Sequence, residues 1–290
     1  MARPRDGTLL RRYAEDWRSI LDGTSIGLLQ LMYPPLGAAV AAQSGFFEDP
    51  YGRIYRSIPQ IWATILAPDA EARARRIRDL HRGIRGLVNG QRYHALDPET
   101  FWWAHATFTH LIIRSVERYH RRGELDAAGY EQLYADTVAW YERYGVSLRA
   151  VPASYAEFRT TFDLFCAERL ELTPAVRRLV GMGDDAAPTS GAARTPLELL
   201  TAPILERWGT LSTIGNLPPV VRRRFGLPWT GDDQARLDRL AGVMRLTFET
   251  MPLPLNRATF GYALRLTGSR TRAQRYVPGE PAAKVGFAGG

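Results

Sequence analysis

The chain of 290 residues is poor in several residue types, and each shortage excludes a class of protein. It contains one cysteine, Cys166, so a framework of internal disulfides is excluded and a reducing compartment is favoured. Lys284 is the only lysine, so arginine supplies nearly all of the basic residues. The formal net charge is +8. No dense basic run is interleaved with aromatic residues, which argues against a nucleic-acid partner. We therefore expect a cytoplasmic protein that does not bind nucleic acid.

The sequence also lacks an uninterrupted apolar run of membrane-spanning length. Its most hydrophobic stretch, residues 25–42, carries no charge, but Pro34-Pro35 interrupts it in the middle. The pattern predicts two buried helices on either side of Tyr33 and no stable membrane span. Near the N-terminus, Arg11-Arg12 is followed by charged residues without an apolar core or cleavage site, so no export signal is expected.

Alternation of polar and apolar residues with a period of two, which marks a half-buried strand, is nowhere sustained. The sequence therefore predicts an all-α protein of about ten or more helices. We expect an N-terminal helix over residues 1–24, a helical domain over residues 25–275 and a disordered tail over residues 276–290. Within the domain, Gly183 to Gly191 has the composition of a flexible linker.

The five histidines all fall within a short part of the chain: His81, His94, His105, His110 and His120. At its centre a helix is predicted from the N-cap Asp97 and from Pro98, which suits a first helical position. This helix continues to about Arg121, before a glycine. At 100° per residue, Trp102, His105, Thr109 and Ile112 share one apolar face.

A histidine on an apolar helix face has two interpretations, and the pattern alone leaves both open. His105 can be a core residue whose ring bonds a backbone carbonyl. It can also be a metal ligand. Zinc is poorly supported, because the chain has one cysteine and no His-x-x-x-His pair. A haem suits the site better, since its iron needs a single proximal ligand and its macrocycle needs apolar walls. Without Cys-x-x-Cys-His, such a haem b would be bound non-covalently.

The preceding segment predicts a helix from Ala70 to Arg85 that is stopped by Gly86. His81 and Arg85 then lie four residues apart, on one face of its last turn. Cations at the C-terminal end of a helix interact favourably with its dipole. This stabilising role alone can account for His81 and Arg85, without a functional role. The following Asn89-Gly90 marks a tight turn.

Several of these pieces occur together in one known family. They are Tyr33-Pro34, Asp49-Pro50 before Arg53, His81-x-x-Ile84-Arg85-Gly86, Trp103-x-His105-x-Thr107 and Leu217-Pro218 with the segment from Arg222 to Trp229. In this order they resemble the DUF2236 family, which includes the latex-clearing rubber oxygenases and fungal oxygenases that cleave a prenyl chain. The resemblance covers roughly residues 25 to 260.

The resemblance implies a single globin-like helical domain that holds haem b, with His105 as the proximal iron ligand. His110 matches a second histidine of the rubber oxygenases and would lie beside the haem, as would Trp102. Thr109 stands where those enzymes have an arginine, and we count it among the candidate catalytic residues. They also use a lysine as a second axial ligand. None lies near here, which argues against rubber as the substrate and favours an intracellular member.

Under this resemblance the basic residues gain roles. His81 would be a distal ligand or a hydrogen-bond donor, and Arg85, Arg53 and Arg56 would pair with the haem propionates. The expected activity is that of a haem-dependent oxygenase that uses dioxygen, a small or medium apolar or aromatic substrate and, as a further partner, a reductant. Two alternatives stay open: a bis-histidine haem protein for electron transfer or sensing, and a metal-free helical binding module.

Overall fold

The computed structural model describes residues 7–43, 50–179, 209 and 211–273, and these residues are predominantly α-helical. The helices are α1 (Leu9–Ala14), α2 (Gly23–Met32), α3 (Pro34–Gln43), α4 (Pro50–Leu66), α5 (Ala70–His81), α6 (Pro98–Tyr119), α7 (Ala127–Glu142), α8 (Tyr155–Glu168), α9 (Pro174–Leu179), α10 (Pro219–Arg224), α11 (Gly231–Thr250) and α12 (Leu253–Ala273). A short 3-10 helix (Trp17–Ile20) joins α1 to α2. The predicted all-α class is confirmed. The predicted linker at 183–191 and tail at 276–290 lie outside the described residues.

The apolar stretch near the N-terminus forms two helices, as predicted. α2 and α3 meet at Tyr33, and the side chains of Leu28, Leu29 and Met32 are buried in the core. Within the described part of the chain, no single helix has the length and hydropathy to cross a membrane. The pair Trp17–Met32 and Pro34–Ala42 meets that requirement only when its two parts, bent by 99°, are counted together.

A small hairpin follows α5, and here two predictions were wrong. Strands β1 (Arg85–Val88) and β2 (Gln91–His94) pair antiparallel, with Leu87 opposite Arg92. The helix predicted to reach Arg85 ends at His81. The turn between the strands is left-handed, with φ of 51° at Asn89 and 74° at Gly90, as a two-residue hairpin loop requires. Each strand has only four residues, which is too short for alternation to be visible in the sequence.

The long helix α6 lies at the centre of the fold. It begins at Pro98 as predicted, although the Asp97 carboxylate accepts a hydrogen bond from the His94 backbone instead of capping α6. Residues of α2, α7, α11 and the 3-10 helix pack around it. Its Trp103 ring is stacked on Phe165 of α8, with centroids 4.1 Å apart. This stacking joins α6 to α8.

One buried carboxylate joins three distant segments of the chain. Asp22, just before α2, accepts hydrogen bonds from the Tyr119 hydroxyl at 2.5 Å and from Asn216 Nδ2 at 2.7 Å. Burial raises the pKa of Asp22 above its ordinary value, and the Tyr119 hydrogen bond partly opposes this. The cluster lies at the C-terminal end of α6, which is the end opposite to Pro98.

Arg222 has a different role from the one its sequence context suggests. The run Arg222-Arg223-Arg224 predicts a solvated helix face. In the structure, Arg222 donates to the carbonyl oxygens of Gly215 at 2.7 Å and Leu217 at 2.6 Å. Its guanidinium also lies over the Trp229 ring, 5.0 Å from the centroid. Arg222 is therefore a structural residue that holds the chain before α10.

Candidate functional site

The motif Trp103-x-His105-x-Thr107 divides its side chains between two faces of α6. Trp103 Nε1 donates to the Leu29 carbonyl at 3.3 Å, and the Thr107 hydroxyl accepts from Gln30 Nε2 at 2.8 Å, so both contact α2. His105 is turned about 200° from each of them and contacts α7 instead. The motif therefore joins α6 to α2 through Trp103 and Thr107, and it places the His105 imidazole on the opposite side of α6.

The His105 ring lies in an aromatic environment supplied by α7. Its Nε2 is 3.0 Å from the Thr137 carbonyl oxygen. The ring centroid is 4.4 Å from that of Trp140, 4.9 Å from Tyr141 and 6.2 Å from Tyr144. Only 8% of the residue is exposed. His105 is therefore enclosed on the α7 side and joined to it by a polar contact.

Burial determines the charge of His105. Desolvation lowers its pKa to about 3, and the hydrogen bond with the Thr137 carbonyl opposes this only in part. At neutral pH the imidazole is uncharged, so one nitrogen donates and the other accepts. The Thr137 carbonyl can only accept, which places the proton on Nε2. In the described chain Nδ1 has no hydrogen-bond partner and keeps its lone pair.

A small cavity lies beside this ring. It measures about 10 Å³, which is room for about one water molecule. The residues that line it come from α6, α7, α8 and the segment between α7 and α8: Trp102, His105, Ala106, Thr109, Tyr134, Thr137, Val138, Tyr141, Val151 and Phe158. Trp102, His105 and Thr109, which were predicted to share one face of α6, all line this cavity.

These residues fit a haem in their chemistry but not in their spacing. A neutral imidazole whose second nitrogen bonds a backbone carbonyl is the usual state of a metal-ligating histidine. Apolar aromatic walls also suit a macrocycle. However, the nitrogen at the tip of the ring faces Thr137, and the cavity is far smaller than a porphyrin. In this arrangement of α6 and α7, the site does not fit a haem.

His81 lies on the far side of an aromatic layer. Its ring contacts Phe101 edge-on with centroids 6.1 Å apart, and Phe101 in turn contacts Tyr144 at 5.3 Å. Tyr144 is one of the rings that enclose His105. His81 Nδ1 is 2.7 Å from the carbonyl oxygen of Ile77 in its own helix. The two histidines thus belong to one aromatic cluster, with Phe101 and Tyr144 between them.

Among the described side chains, two further predicted cofactor residues, Arg85 and His110, do not line this cavity. Arg85 lies on the exposed face of β1 and not one helical turn from His81, because α5 ends early. His110 is stacked on Phe162 of α8 with centroids 4.2 Å apart, and burial lowers its pKa to about 3. Arg53 and Arg56 lie outside the residues whose side chains the structure describes.

The last two histidines lie outside this site. His94 ends β2, where its Nδ1 accepts from the Leu96 backbone at 3.1 Å and its Nε2 is 2.9 Å from the Arg82 carbonyl oxygen. His120 is buried against Tyr13 with ring centroids 5.0 Å apart. His94 is a structural residue of the hairpin, and His120 belongs to a separate cavity.

Sequence reasoning missed the contribution of α7. The Thr137 partner is a backbone carbonyl and leaves no signature in side-chain pattern. Tyr141 and Tyr144 belong to an aromatic stripe that is typical of a core. Their contact with His105 could have been inferred only from knowledge of which helix packs on this face of α6.

Fold and site together define a helical protein with a buried, neutral histidine held between two helices. The model of the family described as ER-bound oxygenase mpaB/B'/Rubber oxygenase, catalytic domain, matches residues 11–246. The chain belongs to this family, and it therefore carries an oxygenase catalytic domain.

Individual relatives are distant. Uncharacterized proteins of Mycobacterium bovis and Mycobacterium tuberculosis are each 26% identical over 200 residues, which is 67% of this chain and 71% of theirs. No solved structure matches the chain. Family membership therefore identifies the class of reaction. The cofactor and the class of substrate have to be inferred from the residues of this chain.

Proposed function

We propose that this protein is a haem-b-dependent oxygenase that acts on a small or medium apolar or aromatic substrate with dioxygen. His105 is the proposed axial ligand of the haem iron, and a reductant is the further partner. Membership of an oxygenase family supports the reaction class. The observation that carries the choice of ligand is the state of His105: buried, neutral and fixed by the Thr137 carbonyl among aromatic rings.

The proposal requires that the site opens. Since the cavity beside His105 holds about one water, haem can enter only if the rings of Trp140, Tyr141 and Tyr144 move away from the imidazole. The haem would supply the redox chemistry of the oxygenase, and the chain would supply an apolar, water-poor surrounding. Cytoplasmic location is part of the same proposal and is supported by the single cysteine, Cys166.

A second candidate function is a metal-free helical binding module. The specific observation in its favour is that the His105 ring already has a carbonyl partner and close aromatic packing. A histidine in this state stabilises a core without any cofactor. Absorbance distinguishes the two candidates directly, because only the first is coloured.

The experiment is a titration of purified protein with hemin, followed by the Soret band and by tryptophan fluorescence. We expect a stoichiometric Soret band and quenching of Trp140 as the site opens. His105→Gln should lose the band, because glutamine can still donate to the Thr137 carbonyl but is a poor iron ligand. His94→Gln is the control, since His94 lies on the hairpin outside the site.

Carbon monoxide binding to the reduced protein tests the role of His81. Fast binding that is unchanged in rate by His81→Ala indicates an open iron site and supports an oxygenase. Slow binding that becomes fast in His81→Ala indicates a bis-histidine protein. A colourless protein that develops no Soret band with hemin contradicts the haem proposal and leaves the binding module.

A further inference from the structure

A second cavity lined by described residues lies at the C-terminal end of α6, away from His105. It measures about 540 Å³, which is in the range of small-molecule sites. His120, which follows the last residue of α6, lines it together with the start of the chain and the turn between α11 and α12. The helix rise places His120 about 22 Å along α6 from His105. The cavity is therefore separate from the candidate oxygenase site.

His120 is a buried polar residue without a polar partner. Only 6% of it is exposed, and its Nε2 is buried without a hydrogen bond. Tyr13 meets the ring edge-on, at an interplanar angle of 88°. Burial, and then the nearby Arg18, lower the pKa of His120 to about 4, so the ring is neutral at pH 7. Buried polar groups in native proteins are almost always satisfied, so this one requires an explanation.

Asn256 offers a second polar group to the same cavity. It is 1% exposed, and its Oδ1 accepts a hydrogen bond from the Trp17 backbone at 3.2 Å. In the part of the chain that the structure describes, its Nδ2 donates to no acceptor. The cavity thus presents an imidazole and a carboxamide donor from two different elements.

The charges around the cavity neutralise one another. Each arginine that lines it is paired with a carboxylate that also lines it: Arg12 with Glu124 at 2.8 Å, Arg18 with Asp16 at 2.5 Å, and Arg121 with Glu249 at 3.9 Å. Between these pairs lie the apolar side chains of Phe248, Met251, Pro252 and Leu253. An added anion would meet three carboxylates and an added cation three guanidinium groups, so neither is favoured.

We propose that this cavity binds a neutral organic molecule that has an apolar body and a hydroxyl or carbonyl group. The polar group bonds His120 and the Asn256 amide, and the body contacts Phe248 and Met251. A neutral imidazole can donate or accept according to its tautomer, so it serves either kind of group. The proposal does not depend on haem, because no residue of the cavity lines the site at His105.

The test uses 1-naphthol as the probe, with calorimetry for affinity and nitrogen-15 NMR of the histidine rings for location. We expect saturable binding and a shift of the His120 ring resonances. Naphthalene-1-carboxylate and 1-naphthylmethylamine should bind at least about tenfold more weakly. Binding of the carboxylate tighter than that of 1-naphthol contradicts the charge argument, and absence of saturable binding contradicts the site.

Substitution locates the site. His120→Phe keeps the edge-on contact with Tyr13 and removes both ring nitrogens, so 1-naphthol affinity should fall about tenfold. Asn256→Asp keeps the acceptor for Trp17 and removes the free donor, which tests the same site if the first variant does not fold. His110→Phe is the matched control, because His110 also stacks on an aromatic ring but does not line the cavity. Equal affinity in wild type and in both site variants overturns the proposal.

Discussion

At the scale of the residue, His105 is first of all a connection between two helices. Its Nε2–H donates to a carbonyl of α7, and its ring fills the space under Trp140. Any role of His105 as an iron ligand therefore comes in addition to its contribution to stability. The two contributions can be separated, because stability requires a donor of the right length and iron binding requires an imidazole.

The first prediction separates them by substitution. His105→Ala should lower the free energy of unfolding by about 2–4 kcal/mol, since it leaves a cavity and an unpaired Thr137 carbonyl. His105→Gln should lower it by about half as much, because its amide can still donate to that carbonyl. Urea unfolding followed by circular dichroism gives both values. Equal stability of the alanine variant and the wild type would show that the α7 contact contributes nothing.

The sequence predicted which residues of α6 line the cavity at His105. It did not predict how other segments of the chain pack around the histidines. Helical periodicity placed Trp102, His105 and Thr109 on one face, and all three line the cavity. It could not predict that His120 is buried, because the residues that cover it, such as Asp16 and Met251, are more than a hundred residues away on either side. Such burial depends on tertiary packing, which leaves no trace in local pattern.

At the scale of the element, the hairpin after α5 shows where local pattern ceases to be informative. The turn at Asn89-Gly90 was predicted from the dipeptide, yet the strands that it joins were not. Gly86 permits the close approach of Tyr93 on the paired strand, since a Cβ there would lie 2.8 Å from the Tyr93 hydroxyl. Arg85, predicted to lie in the helix, is instead the first residue of strand β1.

The second prediction concerns this turn. Gly90→Ala places a Cβ at a φ of 74° and should destabilise the hairpin by about 1 kcal/mol. Gly83→Ala is the control, because Gly83 has open space around its Cα and no strained φ. Hydrogen exchange of the amides of β1 and β2 measures the effect locally. We expect faster exchange in the first variant alone, and equal rates in both would show that the turn does not require glycine.

At the scale of the whole molecule, buried neutral histidines make stability depend on pH. In the folded protein, the pKa values of His105 and His110 are lowered to about 3 and that of His120 to about 4, from an ordinary 6.5. Between these values the unfolded chain binds more protons than the folded one, so acid favours unfolding. Their contribution is complete above pH 6.5 and is lost as pH falls toward 4. Asp22, whose pKa is raised, acts in the opposite direction.

The third prediction follows from that sign. The free energy of unfolding should fall from pH 6.5 to pH 4.5 by about 1 kcal/mol per pH unit for each of these three histidines. In His120→Phe the slope should be shallower by the share of one histidine. Urea midpoints at half-unit pH intervals, for the wild type and this variant, test it. Parallel curves would show that His120 remains protonatable in the folded state.

The cluster of Asp22, Tyr119 and Asn216 has a consequence for the order of events during synthesis. Asp22 and Tyr119 are 97 positions apart, and Asp22 and Asn216 are 194 apart. Since the ribosome releases the chain from its N-terminus, the Asp22 carboxylate emerges long before its amide partner exists. Until then Tyr119 is its only partner in the cluster, and an incompletely paired carboxylate is costly to bury. The segment around Asp22 can therefore be buried beside α6 only after the segment around Asn216 has been synthesised. The fold is completed late in synthesis.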